Sequence, residues 1–175
     1  GNAVKMSKDN GSFYELDKID KPKKPGTINV VILANVRLSS RAMTRAIISA
    51  TEAKSAALAD LDIRSSYTAK TNQATGTGTD NVLVLEGDAP AIDNSGGNTK
   101  MGELIVCSVY EWGQEAIRKQ NGLTVERTIF KRLKERDISL WDLAKGAAPK
   151  GQTATIRQNL ERLLMEQRYI TFMEA

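Results

Sequence analysis

With 175 residues, 41% of them hydrophobic, the chain has apolar material for one domain of ordinary size, or one domain with an appendage. The net charge of +4 is too weak a bias to identify a nucleic-acid or membrane partner, and no apolar run approaches the roughly 18 residues that span a bilayer. Histidine is absent and Cys107 is the single cysteine, which removes Ser-His-Asp and Cys-His catalysis, His-ligated zinc, thiolate metal sites and an internal disulfide framework. Any hydrolytic chemistry then rests on carboxylates, hydroxyls, lysine and backbone amides. One cysteine, and no apolar leader stretch in GNAVKMSKDNG, fit a cytoplasmic protein.

Residues 1–25 are polar and read as a solvated lead-in that ends in KIDKPKKPG. TINVVILAN (27–35) is short, apolar and β-branched, which predicts a buried strand. Over 39–61, Met43, Ala46, Ile47, Ala50, Ala53, Leu58 and Leu61 recur at helical spacing, with Ser39 or Ser40 as N-cap. The stripe is dominated by small residues, so this helix should lie close to a sheet. ATGTGTD (74–80) is a loop or strand edge dense in hydroxyls and backbone amides, and it leads into a second strand, DNVLVLEG (80–87). DAPAIDNSGG (88–97) reads as a loop. A second helix follows over 99–119, with Met101, Leu104, Ile105, Ser108, Trp112 and Ala116 assigned to one face and Cys107 packed beside it. Asn121-Gly122 is its stop signal.

This order of strand, helix, strand and helix predicts an α/β domain, with α+β the alternative: a mixed sheet packed by helices over 1–122. Three helical patterns then fill 123–175, with Ser139 and Asp142 as a capping box and Ile156, Leu160, Leu163, Leu164 and Ile170 at core spacing. Ten basic against seven acidic residues give this segment +3 of the chain's +4. Helix, short helix, longer helix and the β-prone YITF are also the order of a winged-helix module. The interspersed acids leave no clean basic stripe, so DNA binding ranks below a partner-binding or plain packing role.

GTINVVILAN (26–35), TEAKSAAL (51–58), ATGTGTD (74–80) and GGNTKMGELI (96–105), in this order, resemble the adenosylcobinamide amidohydrolases, the CbiZ family of cobamide salvage. Gly1-Asn2-Ala3 resembles the end of a family glycine-asparagine motif, and the likeness covers roughly residues 1–120. It implies cleavage of the amide joining aminopropanol to a propionyl side chain of the corrin ring, which yields cobyric acid. It also implies a corrinoid small molecule as partner and no cofactor, the cobalt belonging to the substrate. Family chains carry a segment ahead of the asparagine motif. The resemblance thus implies the C-terminal portion of a member, with the remainder on another polypeptide or lost in a short form. Where this chain has Asn98, members often carry a histidine, and an amide does not titrate. A silent corrinoid-binding or regulatory protein is therefore the alternative to an active hydrolase. A homo-oligomer remains open, and neither a membrane nor nucleic acid is expected as partner.

Amide hydrolysis requires an attacking oxygen, a proton donor for the amine and N–H groups for the oxyanion. Asp80, at a loop-to-strand junction, is the general-base candidate, and Glu52 the second carboxylate, read either as reaching toward Asp80 or as a surface charge beside Lys54. Gly76 and Gly78 allow close approach to the main chain, while Thr75, Thr77 and Thr79 offer hydroxyls for the amide rim of a corrin or for attack. The same loop can instead be a turn whose polar groups satisfy one another. Asn35, after the first strand, is a ligand contact or a turn residue. Asn98, Thr99 and Lys100 precede a helix, where amides and a lysine suit an anion or a carbonyl oxygen; Thr99 also serves as a simple N-cap.

Overall fold

The computed structural model describes residues 3–4, 26–149 and 151–174, and the expectations for Gly1-Asn2 and for the 5–25 lead-in fall outside them. By its internal contacts the chain forms two units. The first runs to Val125 without Ala69–Thr71, which belong with the residues from Glu126 onward.

The first unit is a mixed α/β structure. Its elements are β1 (Ala3–Val4), β2 (Asn29–Leu33), β3 (Val36–Leu38), α1 (Ser40–Asp60), β4 (Gly76–Thr77), β5 (Asn81–Leu85), β6 (Ala89–Ile92) and α2 (Lys100–Asn121). β2 and β5 are parallel, in register from Asn29 opposite Asn81 to Leu33 opposite Leu85. After Leu33 and Leu85 both strands bend and pair again as β3 and β6, also parallel. β1 and β4 form a short antiparallel pair.

The sequence reading took 88–97 for a loop, yet β6 lies inside it. Val36 faces Ala89 and Leu38 faces Ile92, so β6 carries one residue more than β3 over the same interval. That bulge accommodates Pro90, which has no N–H to give to a strand ladder. Gly87 sits at the bend because a Cβ there would fall on the main chain of Asn35.

Alternation on β2 and β5 turns Val30, Ile32, Val82 and Val84 toward Ala46 and Ala50 of α1 and Met101, Ile105 and Val109 of α2. The other face carries Val31, Leu33, Leu83 and Leu85, each 46–75% exposed. Ser39 caps α1, its Oγ accepting from Ala42 N at 3.2 Å. Ile47, assigned to the apolar stripe, is 43% exposed; the buried row is Ala42, Ala46, Ala50, Ala53, Ala57 and Leu58.

The face assigned to α2 also needs correction. Trp112 is 69% and Leu104 53% exposed, and Cys107 is exposed, whereas Gly102 and Ile105 are buried. Two neighbouring i, i+4 rows compete on this helix, Leu104-Ser108-Trp112-Ala116 and Ile105-Val109-Gly113-Ile117. The second is the more buried one and faces α1, where a Cβ on Gly113 would stand in ordinary contact, 3.7 Å from the Ala57 methyl. The small residues of α1 thus serve helix–helix contact as much as contact with the sheet. Gly122, with φ 63°, closes α2 in the left-handed region.

The second unit contains α3 (Ile129–Glu135), α4 (Leu140–Ala147), α5 (Thr153–Leu164) and α6 (Gln167–Glu174). Ile129, Leu133 and Ala144 are its buried apolar residues, and Arg127 Nε donates to Glu135 Oε2 at 2.7 Å. Ile156, Leu160, Leu163, Leu164 and Ile170 are half-buried. Ser139 Oγ accepts from Asp142 N at 3.2 Å, the expected cap. YITF lies in α6, a helix, so the described residues of this unit contain no wing strand. No helix among the described residues is long and apolar enough to cross a membrane.

Candidate functional site

The row Ala42, Ala46, Ala50, Leu58 of α1 advances four residues at a time, and Lys54 occupies the remaining step. It is the one charged side chain in a buried row, so its ammonium has to find a partner inside the fold. That partner is Asp80: Lys54 Nζ donates to Asp80 Oδ2, and both side chains are 13% exposed.

Three further donors meet the same carboxylate. Thr77 N gives a hydrogen bond to Oδ2 at 3.1 Å, while Oδ1 receives the Thr77 hydroxyl at 2.5 Å and Ile28 N at 3.1 Å. A carboxylate presents about four acceptor positions, and here all four are filled. Burial raises the Asp80 pKa, but the Lys54 ammonium and the Thr77 hydroxyl and amide together outweigh it, holding the carboxyl below its ordinary value. Gly76 is what lets this assembly close, since a Cβ there would overlap the carboxylate and stand 2.8 Å from Lys54 Nζ.

The rest of the loop is tied to its surroundings. Ser55 Oγ donates to Thr75 O at 3.2 Å, Thr27 Oγ1 to Thr79 O at 2.6 Å, and Thr79 N to Thr77 Oγ1 at 3.4 Å. Gly78 and Thr79 are exposed, so the rim of the loop is open to solvent.

Glu52 is not brought to Asp80. It stands two residues from Lys54, about 200° around a helix turning roughly 100° per residue, and it is exposed. The TEAK motif therefore contributes its lysine, which sequence reading set beside Glu52 without giving it a role. The signal was its place in the alanine row.

Asn35, Asn98, Thr99 and Lys100 form no single site with the threonine loop. Asp80 precedes β5 at the amino ends of the parallel strands, whereas Asn35 follows β2 at their carboxyl ends. Ser39, which caps α1, donates its backbone N–H to Ile92 O at the end of β6, and α1 rises about 22 Å from there to Lys54. Thr99 caps α2, accepting from Gly102 N at 3.0 Å and donating to Gly96 O at 2.8 Å. Lys100 pairs with Glu103 of its own helix at 3.0 Å, and Asn98 and Asn35 are exposed. At the same end Asp93 accepts from Ser39 Oγ at 2.7 Å and Arg41 Nη1 at 3.1 Å. Among the described residues, no three of His, Cys, Asp and Glu converge in a way that could hold a metal ion.

The lowered Asp80 pKa sets an acid dependence. A depressed carboxyl contributes stability that is fully present above its unfolded value, about 3.9, and is lost as pH falls through the lower folded value. Urea unfolding from pH 7 to 2 should show this loss in the acid limb, and Lys54→Met should move it to higher pH. Coincident acid limbs would mean that Lys54 does not set the charge state of Asp80.

Residues 1–125 match the CbiZ family, adenosylcobinamide amidohydrolase. An uncharacterized protein of Methanocaldococcus jannaschii is 38% identical over 133 residues, which make up 71% of this chain and 52% of that protein. The chain therefore spans about half the length of this curated relative. No solved structure matches it. The match over 1–125 includes the lysine, the threonine-glycine loop and the aspartate that meet at the amino ends of β2 and β5, and the chain belongs to the adenosylcobinamide amidohydrolase family.

Proposed function

We propose that the protein hydrolyses the amide between aminopropanol and the corrin propionyl side chain of adenosylcobinamide, releasing cobyric acid, with Asp80 as the group that takes up and returns the proton. The observation carrying this reading is the carboxylate of Asp80, paired with Lys54 and accepting a hydrogen bond from the Thr77 hydroxyl, in a chain without histidine. Membership of the amidohydrolase family supports the reaction class. Gly78 and Thr79 form the exposed rim, with the half-buried Thr77 behind them, and the amides and hydroxyls there suit a substrate edged with carboxamides. The corrinoid supplies its own cobalt as part of the substrate.

The test is direct. Incubated with adenosylcobinamide, the chain should release cobyric acid and aminopropanol in equal amounts, followed by chromatography. Corrinoid binding seen by absorbance titration, with no cobyric acid formed, would replace the hydrolase by a corrinoid-binding protein.

A further inference from the structure

We infer that Thr77 is the nucleophile, and that hydrolysis passes through an ester between its Oγ1 and the substrate acyl group. The inference rests on the hydrolysis reading above and goes beyond it in naming the attacking atom. All four acceptor positions of Asp80 are occupied, by Lys54 Nζ, Thr77 N, Ile28 N and the Thr77 hydroxyl. A water molecule has no lone pair of the carboxylate left to which it can present an O–H. The Thr77 hydroxyl is the one O–H already on the carboxylate, at 2.5 Å. Of the three threonines in the loop, it alone donates its side-chain O–H to Asp80. Thr79 N donates to the same Oγ1 at 3.4 Å, an arrangement that orients the oxygen and favours its departure when the ester is hydrolysed.

The step balances with a single shuttled proton. Thr77 Oγ1 bonds to the amide carbonyl carbon as its proton passes to Asp80 Oδ1. The C–N bond then breaks and Asp80 delivers that proton to the leaving nitrogen, freeing the amine. Water attacks the ester, giving one proton to Asp80, which returns it to Thr77 Oγ1 as the carboxylic acid departs. Lys54 keeps its charge throughout and acts as a positioning residue, holding Asp80 ionised at the start of each turnover.

The probe for the nucleophile is p-nitrophenyl propionate, which offers a propionyl group without a corrin. Intact-mass and peptide analysis of the wild-type chain should show one propionyl adduct, on Thr77. Thr77→Ser should keep the adduct and hydrolyse adenosylcobinamide within about tenfold of wild type, whereas Thr77→Val should lose the adduct and at least about 100-fold in turnover. Thermal unfolding of the three proteins separates chemistry from folding, and Ser, which keeps the hydroxyl, is the rescue a purely structural methyl would not provide. Release of cobyric acid by Thr77→Val at the wild-type rate overturns the assignment of Thr77 and leaves the hydrolysis reading intact. A propionyl adduct on Thr77 in a chain that forms no cobyric acid supports the nucleophile and overturns the corrinoid reading. An adduct elsewhere, unchanged in Thr77→Val, overturns the nucleophile alone.

Discussion

Asp80→Asn will lower amide hydrolysis by at least about 100-fold, the usual weight of a positioned proton-transfer group, and will destabilise the first unit by about 3 kcal/mol. Both losses have the same origin. The carboxylate receives two donors on each oxygen, from Lys54 and Thr77 N on Oδ2 and from Thr77 Oγ1 and Ile28 N on Oδ1. Asparagine replaces one of those oxygens with an NH₂ group, a donor itself. Whichever way the amide turns, two donors on that side face a third. In either orientation an ammonium with a side chain 13% exposed loses its counter-charge, a situation that typically costs several kcal/mol, and if the NH₂ meets Lys54 two donors also face each other there. If it meets Thr77 and Ile28, the loop loses its bond to the start of β2. A cycle with Lys54→Met distinguishes the pair from its surroundings. The double variant Lys54→Met/Asp80→Leu should be more stable than either single charge deletion, because it leaves no uncompensated charge, yet it should remain without activity. Urea midpoints and cobyric acid release measure the two effects. An Asp80→Asn protein with wild-type stability would show that the four-donor arrangement carries no net energy.

Much of this was legible in the residues. The parallel β2–β5 pair follows from two short apolar β-branched runs separated by a helical pattern, and both helix starts follow from Ser39 and Thr99. What escaped reading has physical reasons. The aspartates, asparagine and glycines of 88–97 carry loop chemistry, and the short β6 inside them is irregular, its register shifting where Pro90 lacks an N–H. On α2 the large residues Leu104 and Trp112 pull a sequence reading to the wrong row; packing against α1 is a tertiary fact, and it buries the smaller row. Two carboxylates, Glu52 of TEAK and Asp80, suggest a catalytic pair, whereas the alanine row of α1 passes through Lys54 and points that side chain at Asp80. The threonine loop and the residues around Asn98 are near neighbours in sequence, but β5 and β6 carry the chain from one end of the strands to the other between them. Motif order alone does not reveal that separation.

Gly102→Ala should cost the first unit about 3 kcal/mol, although Ala is the better helix former and would by itself favour α2 by roughly 0.5–1 kcal/mol. Gly102 lies in the first turn of α2, against the loop that precedes it. A Cβ there would overlap the Gly96 carbonyl and come within 2.8 Å of the Ser95 carbonyl oxygen, both main-chain atoms that no rotamer change can move. Relief requires displacing the loop, and the loop is fastened at several points. Gly96 O accepts from Thr99 N at 2.9 Å and from Thr99 Oγ1 at 2.8 Å, so moving it releases the side chain that caps α2. The fully buried Ser95 donates from Oγ to Ala42 O at 2.5 Å and accepts at its carbonyl from Ser49 Oγ at 3.2 Å, which joins the loop to the buried side of α1. Loss of a helix cap alone costs about 1 kcal/mol, and buried polar atoms left without partners add to it. Gly97 provides the internal control. A Cβ at that position meets nothing within 4 Å, so Gly97→Ala should change stability by no more than about 0.5 kcal/mol. Urea unfolding of the two variants side by side measures the difference. Equal midpoints would mean that the loop yields freely and that the packing of α2 against Ser95–Gly96 does not hold this end of the molecule together.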